Sequence, residues 1–230
     1  MLRMLALVSL AVLGLALLVV TFRILPMVVL FAWPARVRVS FEDDWLPKAF
    51  DRENSALVGL LEDFKTLGFS LIGLKVERMP LWGPSFRELA LVSEPGKAYA
   101  SIVLHPDLSA ASKYCFTPFD QDGMVFTRDF GVAEEAESER LSVKNVPGAT
   151  PAELVSSHIQ RVEMLCERGL TSLVGDSREA RLEATQAFYS SAYAKRTHRR
   201  VWWPRIRRWL LTWGVFFLLV AFAFLYLPSL

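Results

Sequence analysis

The chain has 230 residues, 53% of them hydrophobic, with a formal net charge of +2, which is room for one folded domain and its anchors. The mean hydropathy of +0.30 is high for a water-soluble protein, but it is gathered in residues 4–33 and 209–229. All 24 acidic residues lie between Glu42 and Glu183, so residues 34–194, with 17 Lys and Arg, carry a net −7. That balance excludes nucleic acid as the main partner, because neutralising phosphates needs a basic face.

Residues 4–22 form an apolar run, followed by Arg23 and a second run over 24–33 that Pro26 interrupts. A cleaved signal peptide with Arg3 as its basic start is the rival reading. It lacks a small-x-small cleavage site and is followed by a long apolar continuation. Ten residues are too few for another span. The sequence predicts one membrane helix through about Phe22, with 24–33 either extending it to the surface or lying along the interface.

The soluble part opens with a short alternating strand over 37–41. Leu57, Leu60, Leu61, Phe64 and Leu67 then recur at three- and four-residue steps, predicting a helix over 51–67 capped by Asp51 or Asn54 and ended by Gly68. Strands follow over 70–78, 88–93, 99–104, 114–118, 124–127 and 140–146. Their breaks are turn chemistry: Glu94-Pro95-Gly96-Lys97, His105-Pro106-Asp107 and Asp120-Gln121-Asp122-Gly123. Such close spacing predicts an antiparallel meander. Residues 132–139 read as a solvated acidic loop.

Thr150-Pro151-Ala152-Glu153 opens a helix with a capping box and proline at its first position. Leu154, Val155, His158, Ile159, Val162, Leu165 and Cys166 share one face, and Gly169 closes the helix. A last helix starts near Asp176 or Ser177 and carries Leu182, Phe188, Tyr189 and Tyr193. The two cysteines, Cys115 and Cys166, have no metal or redox spacing and read as reduced core residues.

The C-terminal run over 209–227 offers nineteen positions without a charge, enough to cross a hydrocarbon core of about 30 Å at ~1.5 Å per residue. Before it stand Lys195, Arg196, Arg199, Arg200, Arg205, Arg207 and Arg208, with Trp202 and Trp203 among them and no acid. With Arg23, Arg36 and Arg38 after the first span, the positive-inside rule puts the central domain in the cytoplasm and both termini outside. A bacterial inner membrane is the expected location. The basic collar also has the composition that anionic lipid headgroups attract. Trp202 and Trp203 would seat at the interface, and Pro204 would kink the helix.

Candidate chemistry is sparse. His105-Pro106-Asp107, with Lys97-Ala98-Tyr99 upstream, resembles the motif of J-domain co-chaperones, which stimulate chaperone ATPases. Here the run into the motif is short, β-branched and preceded by a Pro-Gly turn, and the spacing is two residues short, so the residues read as a turn ending a strand. Asp120 and Asp122 before Gly123 open like a calcium loop but lack its later ligands. Asp-Gly between two strands is a hairpin signal. His158, on an apolar helix face, reads as a hydrogen-bonded core residue, and the pairs Asp43–Asp44 and Glu134–Glu135 read as solvated charge. No nucleophile, phosphate-loop, dinucleotide or zinc-protease signature is present.

Gly68-Phe69, the Phe119-Asp120-Gln121-Asp122-Gly123 turn leading to Thr127, and Thr150-Pro151-x-Glu153-Leu154 with His158 loosely resemble uncharacterised bacterial membrane-anchored proteins over 52–168. The resemblance implies no activity. The sequence thus predicts an α+β protein: an antiparallel β-meander sheet with helices packed on one face, flanked by one N-terminal and one C-terminal transmembrane helix. Its parts are an anchor (1–33), a soluble domain (34–194), a basic juxtamembrane collar (195–208) and a last span (209–230). It assigns no catalytic, cofactor or metal residue. Its membrane-surface residues are the seven basic side chains and two tryptophans of the collar, and its partners are the bilayer and, as an open option, a protein. The domain reads as an interaction or ligand-sensing module. The alternatives are a membrane-proximal enzyme on a lipid or small molecule and, more distantly, a J-like co-chaperone. A deep pocket with convergent polar groups would favour the enzyme, and a sheet face without one would favour binding.

Overall fold

A computed structural model describes residues 2–42, 44, 55–94, 96–105, 110–130 and 135–226. Helix α1, Leu2–Ala32, is unbroken through Pro26, so residues 24–32 continue the first helix and do not turn along the interface. A single 3-10 turn, Pro34–Arg36, feeds strand β1, Arg38–Phe41. Helix α2, Ser55–Thr66, follows. The caps expected at Asp51 and Asn54 lie outside the described residues. Gly68 leaves α2 at φ 81°, where a side chain would be strained.

Eight strands make one sheet in the order β1-β2-β3-β4-β5-β6-β8-β7. They are β2 Phe69–Arg78, β3 Ser85–Ser93, β4 Tyr99–Leu104, β5 Ala110–Pro118, β6 Met124–Arg128, β7 Ala136–Glu137 and β8 Leu141–Asn145. From β1 to β6 it is the expected antiparallel meander. The sheet as a whole is mixed, because β8 pairs parallel with β6 and antiparallel with β7. The connection over 129–140 is twelve residues long, about what a return in the same direction needs. Within it the stretch read as a loop contributes β7.

Helix α3, Pro151–Glu167, has the predicted capping box: Glu153 N donates to Thr150 Oγ1 and Thr150 N to Glu153 Oε2. With α2 it covers one face of the sheet, over Leu74, Leu89, Leu91, Ala100, Ile102 and Cys115. Helix α4, Arg178–Ser190, starts at the Ser177 cap and covers the opposite face, with Ala184 against Val92, Tyr99, Phe116 and Phe126. Helices therefore lie on both faces and not on one. The cause is legible in β3, where Leu89, Ala90, Leu91 and Val92 are buried at successive positions; a strand apolar on both sides needs cover on both. Cys166 is also displaced from its expected place: it is exposed, while Cys115 is buried, and both are free thiols. The buried face of α3 is the narrower stripe Leu154, His158, Val162 and Leu165.

After a break at Ser191, α5 runs from Ala192 to Tyr226 as one helix with Pro204 inside it. Among the described residues two segments are long and apolar enough to cross a membrane, Leu7–Ala32 with hydropathy 2.5 and Ala192–Ala223 with 1.6. Their apolar windows are only 17% and 6% buried, too little for core helices of a soluble protein and in keeping with membrane spans. The two helices pack antiparallel: Gly14 faces Phe216, Thr21 meets Trp209 and Trp213, and Phe31 stacks on Trp203. Thr21 Oγ1 donates to Leu17 O and accepts from both indole nitrogens, at 2.9 and 2.8 Å.

Candidate functional site

The face under α4 carries charge where a core would carry leucine. Lys75 on β2 and Glu88 on β3 are cross-strand partners. Ser101 on β4 and its cross-strand partner Tyr114 on β5 lie on the same face, diagonal to Glu88, and Arg181 and Thr185 descend on them from α4. Lys75, Glu88, Ser101, Tyr114, Arg181 and Thr185 are all buried, Arg181 to within 1%.

Each group in this set is held by the others. Lys75 Nζ bridges Glu77, at 2.8 Å, and Glu88, and donates to Thr185 Oγ1 at 3.1 Å. Arg181 Nη2 donates to Ser101 Oγ at 2.9 Å and Tyr114 OH at 3.2 Å and lies 3.5 Å from Glu88 Oε1. The Tyr114 hydroxyl meets both Glu88 oxygens, and Tyr189 OH donates to Glu77 Oε2. The guanidinium also sits 4.7 Å from the Tyr99 ring and 5.7 Å from that of Phe116, a contact that stabilises a desolvated cation. Two cations and two carboxylates balance. Arg181 Nε is buried and has no acceptor.

The balance fixes protonation. Burial and the nearby Arg181 push Lys75 toward neutrality, but Glu77 and Glu88 outweigh them and raise its pKa above the ordinary amine value. Burial alone would raise Glu77; Lys75 and Tyr189 more than offset it, and its pKa is lowered. Tyr114 is pushed up to about 12 by burial and then by Glu88. Tyr189 is raised well above a normal phenol, by burial first and Glu77 second. Around neutral pH the lysine keeps its proton and both tyrosines keep theirs.

A cavity of about 310 Å³ opens beside this network. Its walls are apolar, including Val103, Phe116, Phe126, Phe130 and Phe188, and its polar side is Lys75, Glu77, Glu88, Tyr114 and Arg181. Met79 and Phe86, at the two ends of the β2–β3 connection, also line it, as does His198 of α5, stacked on Tyr189 at 5.8 Å. A second cavity, about 380 Å³, lies on the other side of Phe116 and Phe188, under the Asp120–Gly123 turn.

The residues singled out in the sequence lie elsewhere. His105 is exposed at the end of β4, a strand paired with β3 and β5 where the J-domain motif would need a helix; Pro106 and Asp107 lie outside the described residues. Gln121 and Asp122 form a tight turn at φ 52° and 60°, with Gly123 N donating to Asp120 O. Among the described residues no three His, Cys, Asp or Glu come together as a metal site. Of the carboxylate pairs, Asp43 and Glu134 lie outside the described residues, and Glu135 accepts from Asn145 N.

His158 is fully buried between two threonines, Thr117 at Nε2 (2.9 Å) and Thr127 at Nδ1 (3.0 Å). Thr117 Oγ1 spends its proton on Lys97 O, so it accepts from Nε2–H, and Nδ1 accepts from Thr127. Burial, and then Arg161, push this imidazole down to about 3. It is a neutral strut, as the apolar face of its helix suggested.

The collar is a column and not a ring. Lys195, Arg196, Arg199, Arg200, Arg205, Arg207 and Arg208 are exposed along α5, and at ~1.5 Å per residue Lys195 and Arg208 stand about 20 Å apart along the axis. Trp202 is half-buried with the Arg205 guanidinium 4.8 Å over its ring, and Trp203 stacks on Phe31.

The sequence reading passed over Lys75, Glu77, Glu88, Tyr114 and Arg181. The available signal was charge inside strands that are apolar at consecutive positions, such as Glu88 before Leu89-Ala90-Leu91-Val92. No protein-family model matches the chain, and neither a curated protein nor a solved structure matches it.

Proposed function

We propose that this is a membrane-anchored ligand-sensing module whose ligand is a small amphiphile held in the 310 Å³ cavity. The observation that carries this reading is a cavity with aromatic walls on one side and, on the other, a buried network of Lys75, Glu77, Glu88, Tyr114 and Arg181. The size falls at the lower end of ligand sites, which combine apolar walls with a few placed polar groups. A polar head on the ligand would face the Lys75, Tyr114 and Arg181 side, and an alkyl or aryl body would lie against Phe126 and Phe188. Binding of decanoate to the full-length protein in lipid nanodiscs tests the idea. Binding is expected above that of empty nanodiscs and is lost in Val103→Trp, whose ring fills the cavity. Equal binding by both proteins would overturn it.

A second reading, an enzyme acting on a membrane-proximal lipid or small molecule, draws on the same convergence of Glu77, Glu88, Tyr114 and Tyr189. It requires a carboxylate free to take a proton, and both carboxylates are engaged by Lys75. Binding is therefore the better-supported use of the cavity.

In this reading the domain lies on the cytoplasmic side of a bacterial inner membrane. Support comes from the basic residues beside both spans on the domain side, set against a charge-free stretch after Arg208. The lower turns of the column, Arg205, Arg207 and Arg208, engage anionic headgroups, at about 1 kcal/mol for each basic side chain near the surface. Alkaline phosphatase fused after Leu230 should be active and the same enzyme fused at Ser138 inactive; the reverse pattern would put the domain outside.

A further inference from the structure

The connection between β2 and β3 is Met79-Pro80-Leu81-Trp82-Gly83-Pro84, apolar throughout and exposed at its tip, with Leu81 57% and Trp82 46% accessible. A hairpin tip in water would carry polar turn residues. This one also holds Leu81 at φ 61°, a left-handed conformation that is unfavourable for any residue with a Cβ. Its surroundings explain the position. Pro26 has no N–H, so the carbonyl of Phe22, four residues earlier in α1, loses its helical partner. Trp82 Nε1 donates to that carbonyl at 2.7 Å, and its ring stacks on Phe22 at 4.0 Å with the planes 8° apart. Behind it Gly83 fits closely: a Cβ there would come within 2.6 Å of Met79 Cβ and 3.1 Å of Pro26 Cβ. The tip is fixed to α1 over Phe22 to Pro26.

That level is where the helix pair passes from apolar to basic. Thr21 meets Trp209 and Trp213, and Arg23, Arg205 and Arg208 line one surface groove with Trp209 just beyond. Indole rings favour the water–lipid boundary, and arginines reach into the headgroups from just above it. We propose that the β2–β3 tip is a third membrane contact, with Leu81 and Trp82 seated in the interfacial zone of the leaflet that α1 and α5 enter. The occupant of this apolar surface is bilayer lipid, because the tip is continuous with the lipid-facing surface of α1. The proposal rests on the two helices crossing a bilayer and is independent of what fills the cavity. Its consequence is a domain tethered at three points, which fixes its tilt over the membrane.

The test uses the full chain in phosphatidylcholine–phosphatidylglycerol vesicles, in a Cys166→Ser background that removes the exposed thiol. An environment-sensitive nitrobenzoxadiazole label is placed on Leu81→Cys and, as the control, on Gln160→Cys, an exposed position of α3. At position 81 the emission should shift to the blue and be quenched by lipids brominated near the headgroup, and at position 160 it should do neither. Water-like, unquenched emission at 81 overturns the proposal. A blue shift without bromine quenching also overturns it, assigning the tip to a protein surface such as a second copy of the chain.

Discussion

On the face covered by α2 and α3 the sheet offers Leu74, Leu89, Leu91 and Ile102, and the buried His158 is closed off by two threonines. On the face covered by α4 the neighbouring residues of the same strands offer Lys75, Glu88, Ser101 and Tyr114, and the space they leave is a cavity. One face is a filled core with a neutral strut; the other is an ionic lattice that stops short of filling. Replacing a buried ion pair with well-packed apolar residues is often neutral or stabilising, so stability alone does not call for the lattice. What the lattice adds, and the core does not have, is fixed dipoles at the edge of an open space.

The contrast can be broken hardest at Lys75. Lys75→Met leaves Glu77 and Glu88 buried without their shared cation, and a loss of about 3–5 kcal/mol is expected from removing one partner of a buried network. The unfolding midpoint of the full chain in mild detergent measures it; a loss below about 1 kcal/mol would mean the lattice is solvated and not buried. On the opposite face Thr117→Val removes the acceptor of His158 Nε2–H at nearly constant volume. It should cost about 1–3 kcal/mol, the range for a stranded buried donor, measured the same way.

The smallest effect is a slope. His158 titrates near 3 when folded and near 6.5 when unfolded, so the unfolded chain binds the extra proton between those values. Stability from this residue is complete above about pH 6.5 and declines as pH falls toward 3, at of the order of 1 kcal/mol per pH unit. Glu77, whose folded pKa is lowered, adds its own loss only below the ordinary carboxylate range. Unfolding measured from pH 6.5 to 5 should therefore be steeper for the wild type than for His158→Gln. Parallel slopes would show that the imidazole is not held neutral.

Most of the scaffold could be read from local rules. The meander from β1 to β6 follows from short turns, α3 from Thr150 and Glu153, and the spans from uncharged length. What escaped was everything set by the third dimension. That Cys166 falls just outside the buried stripe of α3, or that β8 returns beside β6, depends on how elements meet and not on what each prefers. The cavity network draws on β2, β3, β4, β5 and α4, whose charges are individually ordinary; only their convergence under α4 makes them a site. Glu88 in its apolar run was the one local sign.

The pairing of α1 with α5 sets a timetable for synthesis. Trp209 follows Thr21 by 188 residues, so at about 5–20 residues per second the first helix waits roughly 10–40 s for its mate. During that wait the Thr21 hydroxyl has its own acceptor in Leu17 O, and a lone span in lipid needs just such an internal partner. The Phe22 carbonyl freed by Pro26 is served much sooner, by Trp82, only 60 residues downstream. The sheet from β1 to β6 can close as it emerges, each strand beside the one before it, while Lys75 and Glu88 wait for Arg181. The ionic face is thus the last part of the domain to be completed, shortly before the second helix reaches the membrane.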